Sequence, residues 1–301
     1  MSRTSTDSLS RRKARRDHAE LPAGRAEVER TLEALRLVPS KRLGQSFLSD
    51  AFVADAEAAL LTPRAGAPIV EVGGGLGILT EALLRRGLGP ITVIERDARL
   101  ATYLRGKFGN RVTIVEADAL TTELPPDAVY VGNLPFSIAT SLLVRLLYAR
   151  VPQVVALIQR EVAERLAAGP GSRVYGRLSI LAQAFGSVEL FQIVPADSFT
   201  PTPAVDGRIV ALTARTGPLP VASIDRLESV VRTLFSARRK QLGNLLPRVA
   251  HLPADPDSVA SQAGWPVDWA HLRPENLPPA AFFRLANLVV EARSLRARPS
   301  T

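Results

Sequence analysis

The sequence predicts an α/β protein, a doubly wound and mostly parallel sheet followed by a small C-terminal α-helical domain. Three observations predict it. Between Ile69 and Ala168, short runs of β-branched and aliphatic residues alternate with segments whose apolar residues recur at helical spacing, the pattern of strands joined by crossover helices. The first run, Ile69-Val70-Glu71-Val72, passes into Gly73-Gly74-Gly75-Leu76-Gly77 and then into a helical pattern, which puts a glycine turn at the carboxyl end of a buried strand. Composition shifts near Thr213–Pro220, and beyond that point the patterns are helical and rich in proline.

In chain order, residues 1–37 read as a basic, disordered tail and a short helix. The tail carries Arg11-Arg12-Lys13-Ala14-Arg15-Arg16 and little apolar material, and Glu27–Leu37 is amphipathic. Lys41–Asp50 is a polar loop with two apolar anchors, leading into a helix over Ala51–Leu61. After the first strand come a helix from Ile78, a strand at Ile91–Glu95 and a helix at Arg99–Phe108. Strands follow at Val112–Val115 and Ala128–Gly132, then a helix at Ile138–Tyr148, a strand at Gln153–Ile158 and helices at Glu161–Ala168 and Ser179–Phe185. Val188–Val194 and Gly207–Ala214 read as a closing antiparallel pair, so one domain spans 38–214. The second, 215–301, carries helical patterns at Ile224–Phe235, Gln241–Leu246 and Pro279–Arg293.

Composition narrows the function classes. With no cysteine, disulfides, thiolate catalysis and cysteine zinc sites are excluded, and a reducing compartment, the cytoplasm, is expected. The three histidines, His18, His251 and His271, show no ligand spacing, so no metal site is expected. No apolar run reaches the roughly 20 residues of a membrane span, and the amino terminus has no apolar core of a secretory signal. A net charge of +9 points to a polyanionic partner, nucleic acid first.

The glycine turn departs from the dinucleotide fingerprint, because Ile78 and Thr80 stand where its last glycine would fall. That disfavours a nicotinamide-dependent oxidoreductase. What stands here is E-x-G-x-G-x-G from Glu71 to Gly77, with Gly73 and Gly75 at its centre, and it resembles motif I of S-adenosylmethionine-dependent methyltransferases. The next strand ends in Glu95, about 20 residues on, where an acid accepts from both ribose hydroxyls of a nucleoside. Asp118 ends the third strand region, beside Ala119, and can accept from an adenine amine; its structural alternative is a helix cap.

Gly132-Asn133-Leu134-Pro135-Phe136 is the most specific signal. An adenine amine is a poor nucleophile because its lone pair is delocalised into the ring. Accepting both amine hydrogens favours a more tetrahedral nitrogen, and the Asn133 side-chain carbonyl with the Leu134 backbone carbonyl can do so. Pro135 stiffens the turn, and Phe136 offers a face on which an extruded base stacks. No general base is needed, since the amine can lose its proton after the transfer.

These blocks, with Leu43-Gly44-Gln45-Ser46-Phe47-Leu48, Gln159–Val162, Tyr175–Ser179, Phe199–Asp206, Phe235–Leu242 and Arg273–Leu277, closely resemble the ribosomal RNA adenine dimethyltransferase family in its KsgA-type branch, from about Lys41 to Leu288. The resemblance implies a Rossmann-like class I methyltransferase fold. It implies that Gln45–Leu48 closes over the cofactor with contacts at Ser46 and Leu48, and that Gly73, Glu95, Asp118 and Asn133 bind S-adenosylmethionine or border its methyl group. Phe199 would approach the flipped adenine from the side opposite Phe136. Two departures stand out: the family usually has Asn at Ser46 and Tyr at Phe136. Phenylalanine at the latter position also occurs in Erm resistance methyltransferases.

The basic run Arg238-Arg239-Lys240 is read, beside a base-flipping site, as phosphate contact that positions RNA without reading sequence. The expected activity is dimethylation of the N6 amines of two adjacent adenosines near the 3′ end of small-subunit rRNA, in small-subunit biogenesis, by a protein the family implies to be a monomer. The alternatives are an Erm-type enzyme acting on large-subunit rRNA and a catalytically inactive RNA-binding assembly factor.

Overall fold

The structure, a computed structural model, describes residues 24–40, 44–64 and 66–289. The expected disordered tail, the start of the Leu43–Leu48 block and the end of the helix expected to reach Arg293 lie outside the described residues.

Helix α1 (Arg25–Ala34) and the two-residue strand β1 (Phe47–Leu48) precede α2 (Ala51–Ala59), whose start is capped by the Asp50 carboxylate accepting from the Phe52 amide. There follow β2 (Ile69–Val72), α3 (Ile78–Arg85), β3 (Ile91–Glu95), α4 (Ala98–Phe108), β4 (Thr113–Glu116), β5 (Val129–Asn133), α5 (Ala139–Tyr148), β6 (Gln153–Gln159), α6 (Arg160–Ala167) and α7 (Arg177–Phe185). β7 (Gly186–Val194), β8 (Phe199–Thr200) and β9 (Gly207–Ala214) complete the α/β part.

A seven-stranded sheet in the order β4-β3-β2-β5-β6-β9-β7 is parallel from β4 to β6 and antiparallel where β9 inserts between β6 and β7. The chain steps outward from β2 to β3 and β4, then returns to lay β5 on the other side of β2. The order therefore reverses between β2 and β5, and a crevice opens outside their carboxyl ends.

Both faces of the sheet are covered, which is why its central strands are buried along their length rather than alternating. On one face Val53 and Ala58 of α2, Leu79 and Leu83 of α3 and Leu104 and Phe108 of α4 pack on Ile69, Val93, Val131 and Leu157. On the other, Leu142, Leu143 and Leu146 of α5, Leu166 of α6 and Ala182 of α7 pack on Val70, Tyr130, Val154 and Ala156.

The C-terminal part is built on α8 (Ile224–Phe235), capped by the Ser223 hydroxyl, with α9 (Pro256–Gln262) and α10 (Pro279–Leu288). Leu227, Val230, Val231 and Leu234 form one helical stripe of α8 and meet Phe282 and Leu285 of α10. Tyr175 and the α7 residues Ile180, Leu181 and Ala184 belong to the same core, and the Tyr175 hydroxyl donates to the Leu277 carbonyl at 3.0 Å.

Three expectations change. The helix expected at Gln241–Leu246 is a pair of 3-10 turns, Leu242–Asn244 and Leu246–Arg248, because Gly243 disfavours the α form and Pro247 removes a donor. The proline-rich stretch holds α9, which starts on Pro256 with Asp255 accepting from the amides of Asp257 and Ser258. The helix expected from Pro279 ends at Leu288. Near the amino terminus, the amphipathic segment forms α1, whose Val28 and Leu32 pack with Phe47, Leu76 and Leu100.

Candidate active site

A cavity of about 280 Å³ opens at the reversal point between β2 and β5. Gln45, Ser46, Leu48, Gly73, Gly75, Glu95, Asp118, Ala119, Asn133, Leu134, Pro135, Phe136 and Phe199 all line it. Residues far apart in the chain, expected separately to bind a nucleoside cofactor or a target base, thus face one space. Sequence reasoning missed Phe47, Gly74, Arg96, Asp97 and Leu100, which line it too. Gly74 carried a signal, as a further glycine in the turn; Phe47, between two expected contacts, carried another.

The floor is the β2–α3 turn. Gly73, Gly75 and Gly77 all have positive φ, and the Gly73 amide donates to the Ile94 carbonyl at 2.8 Å, tying the turn to β3. Gly77 is the most constrained: at φ 82°, a Cβ would also stand 2.6 Å from the Phe108 ring. At Gly74 a Cβ would meet Val93 at 2.4 Å, so the turn lies flat against β3 and α4.

Carboxylates surround that floor. Glu95 accepts from the Gly75 amide at 3.0 Å and the Asp97 amide at 2.9 Å, so the expected ribose acceptor also holds the glycine turn in place. Burial pushes its carboxyl up from the ordinary range, and the amides of Asp97 and Gly75 pull against that rise. Asp97 is held low by the Arg99 guanidinium and receives the Gln45 side-chain amide at 3.3 Å. The Gln45 side-chain carbonyl accepts from the Ser40 amide at 2.8 Å, so Gln45 fixes its loop at both ends.

Asp118 caps no helix: one oxygen accepts from the Leu120 amide at 2.9 Å within a turn, while the other pairs with Arg96 at 3.2 Å across the rim. Arg145 of α5 donates to the carbonyls of Ala119 (2.5 Å) and Thr122, which anchors the Asp118 loop.

Asn133 ends β5 half-buried at the rim, and its side-chain amide makes no hydrogen bond among the described residues. The following turn is rigid: the Leu134 amide donates to the Leu157 carbonyl, and the Pro135 carbonyl accepts from Ile138 and Ala139, each at 3.0 Å. Phe136 is half-buried, whereas Phe199, on β8, is 1% exposed and serves the core and the cavity wall together.

Beneath the cavity lie two carboxyls sequence reasoning left without a role. Glu71 on β2 accepts from the Thr80 hydroxyl at 2.6 Å; Glu57 on α2 is fully buried, and neither of its oxygens has a hydrogen-bond partner. Burial, with their mutual repulsion, lifts Glu57 to about 8; burial likewise lifts Glu71 to about 8 against the Thr80 bond.

The basic run lies past α8, and none of its members lines the cavity. Arg238 turns inward, donating to the Glu275 carboxylate and to the carbonyls of Arg173 and Ser172. That network occupies its guanidinium, whereas Arg239 and Lys240 are both exposed.

Comparison with known proteins follows the same lines. The family model described as ribosomal RNA adenine dimethylase matches residues 39–254. The chain is 38% identical to the ribosomal RNA small subunit methyltransferase A of Hahella chejuensis, covering 83% of this chain and 93% of that one. Among solved structures, a dimethyladenosine transferase from Plasmodium falciparum aligns with TM-score 0.67 at 26% identity, over 79% of this chain and 95% of that one. The 23S rRNA methyltransferase ErmE aligns with TM-score 0.64 at 29% identity, over 81% and 99%.

Proposed function

The chain belongs to the ribosomal RNA adenine dimethylase family, and from that premise we propose that it dimethylates the N6 amines of two adjacent adenosines near the 3′ end of small-subunit rRNA, using S-adenosylmethionine. The observation that carries the proposal is that the Asn133–Phe136 turn and the Gly73–Gly77 turn face one cavity. The residues suit the cofactor: a buried acid on β3 for the ribose, glycine backbone without side chains for close approach, and Asp118 for the adenine amine. When bound, S-adenosylmethionine supplies an electrophilic methyl group on its sulfonium.

The chain's own residues do the rest. The Asn133 side-chain carbonyl and the Leu134 backbone carbonyl accept the two hydrogens of the target amine and so free its lone pair. Phe136 and Phe199 hold the base between their rings. The rigid Pro135 turn keeps the two acceptors at a fixed separation, which contributes orientation. Methyl transfer would form the new C–N bond as the S–CH3 bond breaks, with neutral S-adenosylhomocysteine as the leaving group, and the amine nitrogen would release its proton to solvent afterwards.

Arg239 and Lys240 contact phosphate, and the C-terminal helices, 215–301, bind the RNA whose base enters the 38–214 part. The reading carries a monomer acting on small-subunit precursors in the cytoplasm. No described helix is long and apolar enough to cross a membrane. The likeness to ErmE supports a second reading, a large-subunit rRNA methyltransferase. Labelled S-adenosylmethionine, offered with unmethylated small subunits and with large-subunit rRNA separately, tests both. Label on two adjacent small-subunit adenosines is expected; label only on large-subunit rRNA would select the second reading, and transfer to neither would overturn both.

A further inference from the structure

The strips 45–49 and 198–201 both reach the cavity and pair with each other, apart from the main sheet. Among the described residues β1 pairs with β8 alone, antiparallel, setting Phe47 against Thr200 and Leu48 against Phe199. Side chains extend the seam. The Ser46 hydroxyl donates to the Pro201 carbonyl at 2.6 Å, and Ser49 gives the Ser198 carbonyl both its amide (2.8 Å) and its hydroxyl (2.9 Å). Arg25 of α1 adds a bond to the Thr202 hydroxyl at 2.8 Å.

Each strip touches a different part of the site. The first carries Gln45, bonded to Asp97 beside Glu95, and Phe47, whose ring lies so near the glycine turn that a Cβ on Gly75 would come within 3.3 Å of it. The second carries Phe199, a cavity-wall residue that the methyltransferase reading sets against the target base. A shift of the first strip toward a bound cofactor therefore moves Phe199 with it.

We propose that Ser46 and Ser49 are positioning residues that make the strips one element, so that filling the cofactor end raises affinity for the target base. This rests on the methyltransferase reading above. By linkage the effect is reciprocal: target RNA tightens the cofactor by the same factor. Exchange of spent cofactor then loosens the grip on the base between transfers.

The test measures binding of unmethylated small ribosomal subunits with and without saturating S-adenosylhomocysteine, and takes the ratio of the two dissociation constants within each variant. Any change in intrinsic cofactor affinity cancels in that ratio. The wild type is expected to show a ratio of roughly 5 to 20, the lower part of the ordinary range of coupling between sites. Ser46→Ala/Ser49→Ala should lower it at least about twofold toward 1, since two side-chain hydrogen bonds are lost from the seam while the strand pairing remains. Ser46→Thr/Ser49→Ala, which keeps a hydroxyl at 46 alone, should restore part of the ratio that the double alanine variant loses. A wild-type ratio of 1, or a double variant that keeps the wild-type ratio, would overturn the inference. Failure of S-adenosylhomocysteine to bind the wild type at all, read separately by calorimetry, would instead overturn the reading beneath it.

Discussion

Replacing Glu57 with glutamine should stabilise the protein, and by more as pH rises. Glu57 is fully buried opposite Glu71, with both oxygens lacking a hydrogen-bond partner. Its carboxyl is lifted from 4.5 to about 8, first by burial and then by Glu71. A carboxyl with a raised folded pKa favours the fold most when protonated. Its contribution is complete below 4.5, falls as pH climbs because the unfolded chain ionises freely, and is lost once pH passes about 8. Folding between those limits takes up a proton, at about 1.4 kcal/mol per pH unit for a single group. Glutamine keeps the shape and needs no proton. From pH 5.5 to 8 its advantage grows toward a ceiling of about 3 kcal/mol, and sharing the proton with Glu71 brings the expectation to about 2 kcal/mol. Thermal unfolding followed by circular dichroism at both pH values reads this as a Tm advantage about 4–8 °C larger at pH 8. The buried amide carries its own desolvation cost, but that cost is the same at both pH values and drops out of the comparison. An equal Tm change at pH 5.5 and 8, or an advantage that shrinks with pH, would refute the reasoning.

Other consequences are open to the same kind of test. Asn133→Ala should lower methyl transfer by at least about 100-fold, the scale of losing one preorganised hydrogen-bonding group, while filter binding to small subunits changes only a few-fold; equal loss of both would mean that Asn133 is not an acceptor for the amine. Phe136→Leu should lower transfer roughly tenfold or more, as expected for a lost base-stacking face, and Phe136→Tyr should retain activity, since the ring face is unchanged. Gly77→Ala should cost about 2–4 kcal/mol in urea denaturation, from the left-handed backbone and the 2.6 Å approach to Phe108. Arg239→Ala/Lys240→Ala should reduce the slope of log K against log salt for RNA binding by up to about 2, with single-turnover transfer at saturating RNA unchanged.

The parts of the fold that were legible are those written locally. Ile69–Val72 is apolar enough to be a central strand and runs straight into glycines, so strand, turn and crevice could be placed from a dozen adjacent residues. The place of Asn133–Phe136 at the rim was legible for the same reason, a strand end running straight into a proline turn. What escaped depends on partners distant in the chain. Glu57 sits in an ordinary helical pattern, and only the fold brings it against Glu71. Arg238 looks like one of three equivalent charges until Glu275 and the carbonyls at 172 and 173 are placed around it. β1 and β8 are two residues each, too short for any periodicity, and Leu48 and Phe199 meet only through long-range pairing. Pro247 and Gly243 were visible at once, but the apolar spacing around them outweighed the breaker signal that the backbone obeys.

Helix α7 has a consequence for protein engineering. Leu178 and Ala182 face the sheet, while Ile180, Leu181 and Ala184 are buried among the C-terminal helices, so two cores are glued to opposite sides of one nine-residue rod. Its leading loop is pinned to the C-terminal part through Arg238, Glu275 and the Tyr175 hydroxyl. A chimera cut at the composition shift near 215 would leave that rod with one side bare and the incoming helices with no seat. Splicing a relative's C-terminal part onto this catalytic body calls for matching the outward side of α7 and the loop at 172–175 to the newcomer, and modularity in this molecule follows packing rather than chain position.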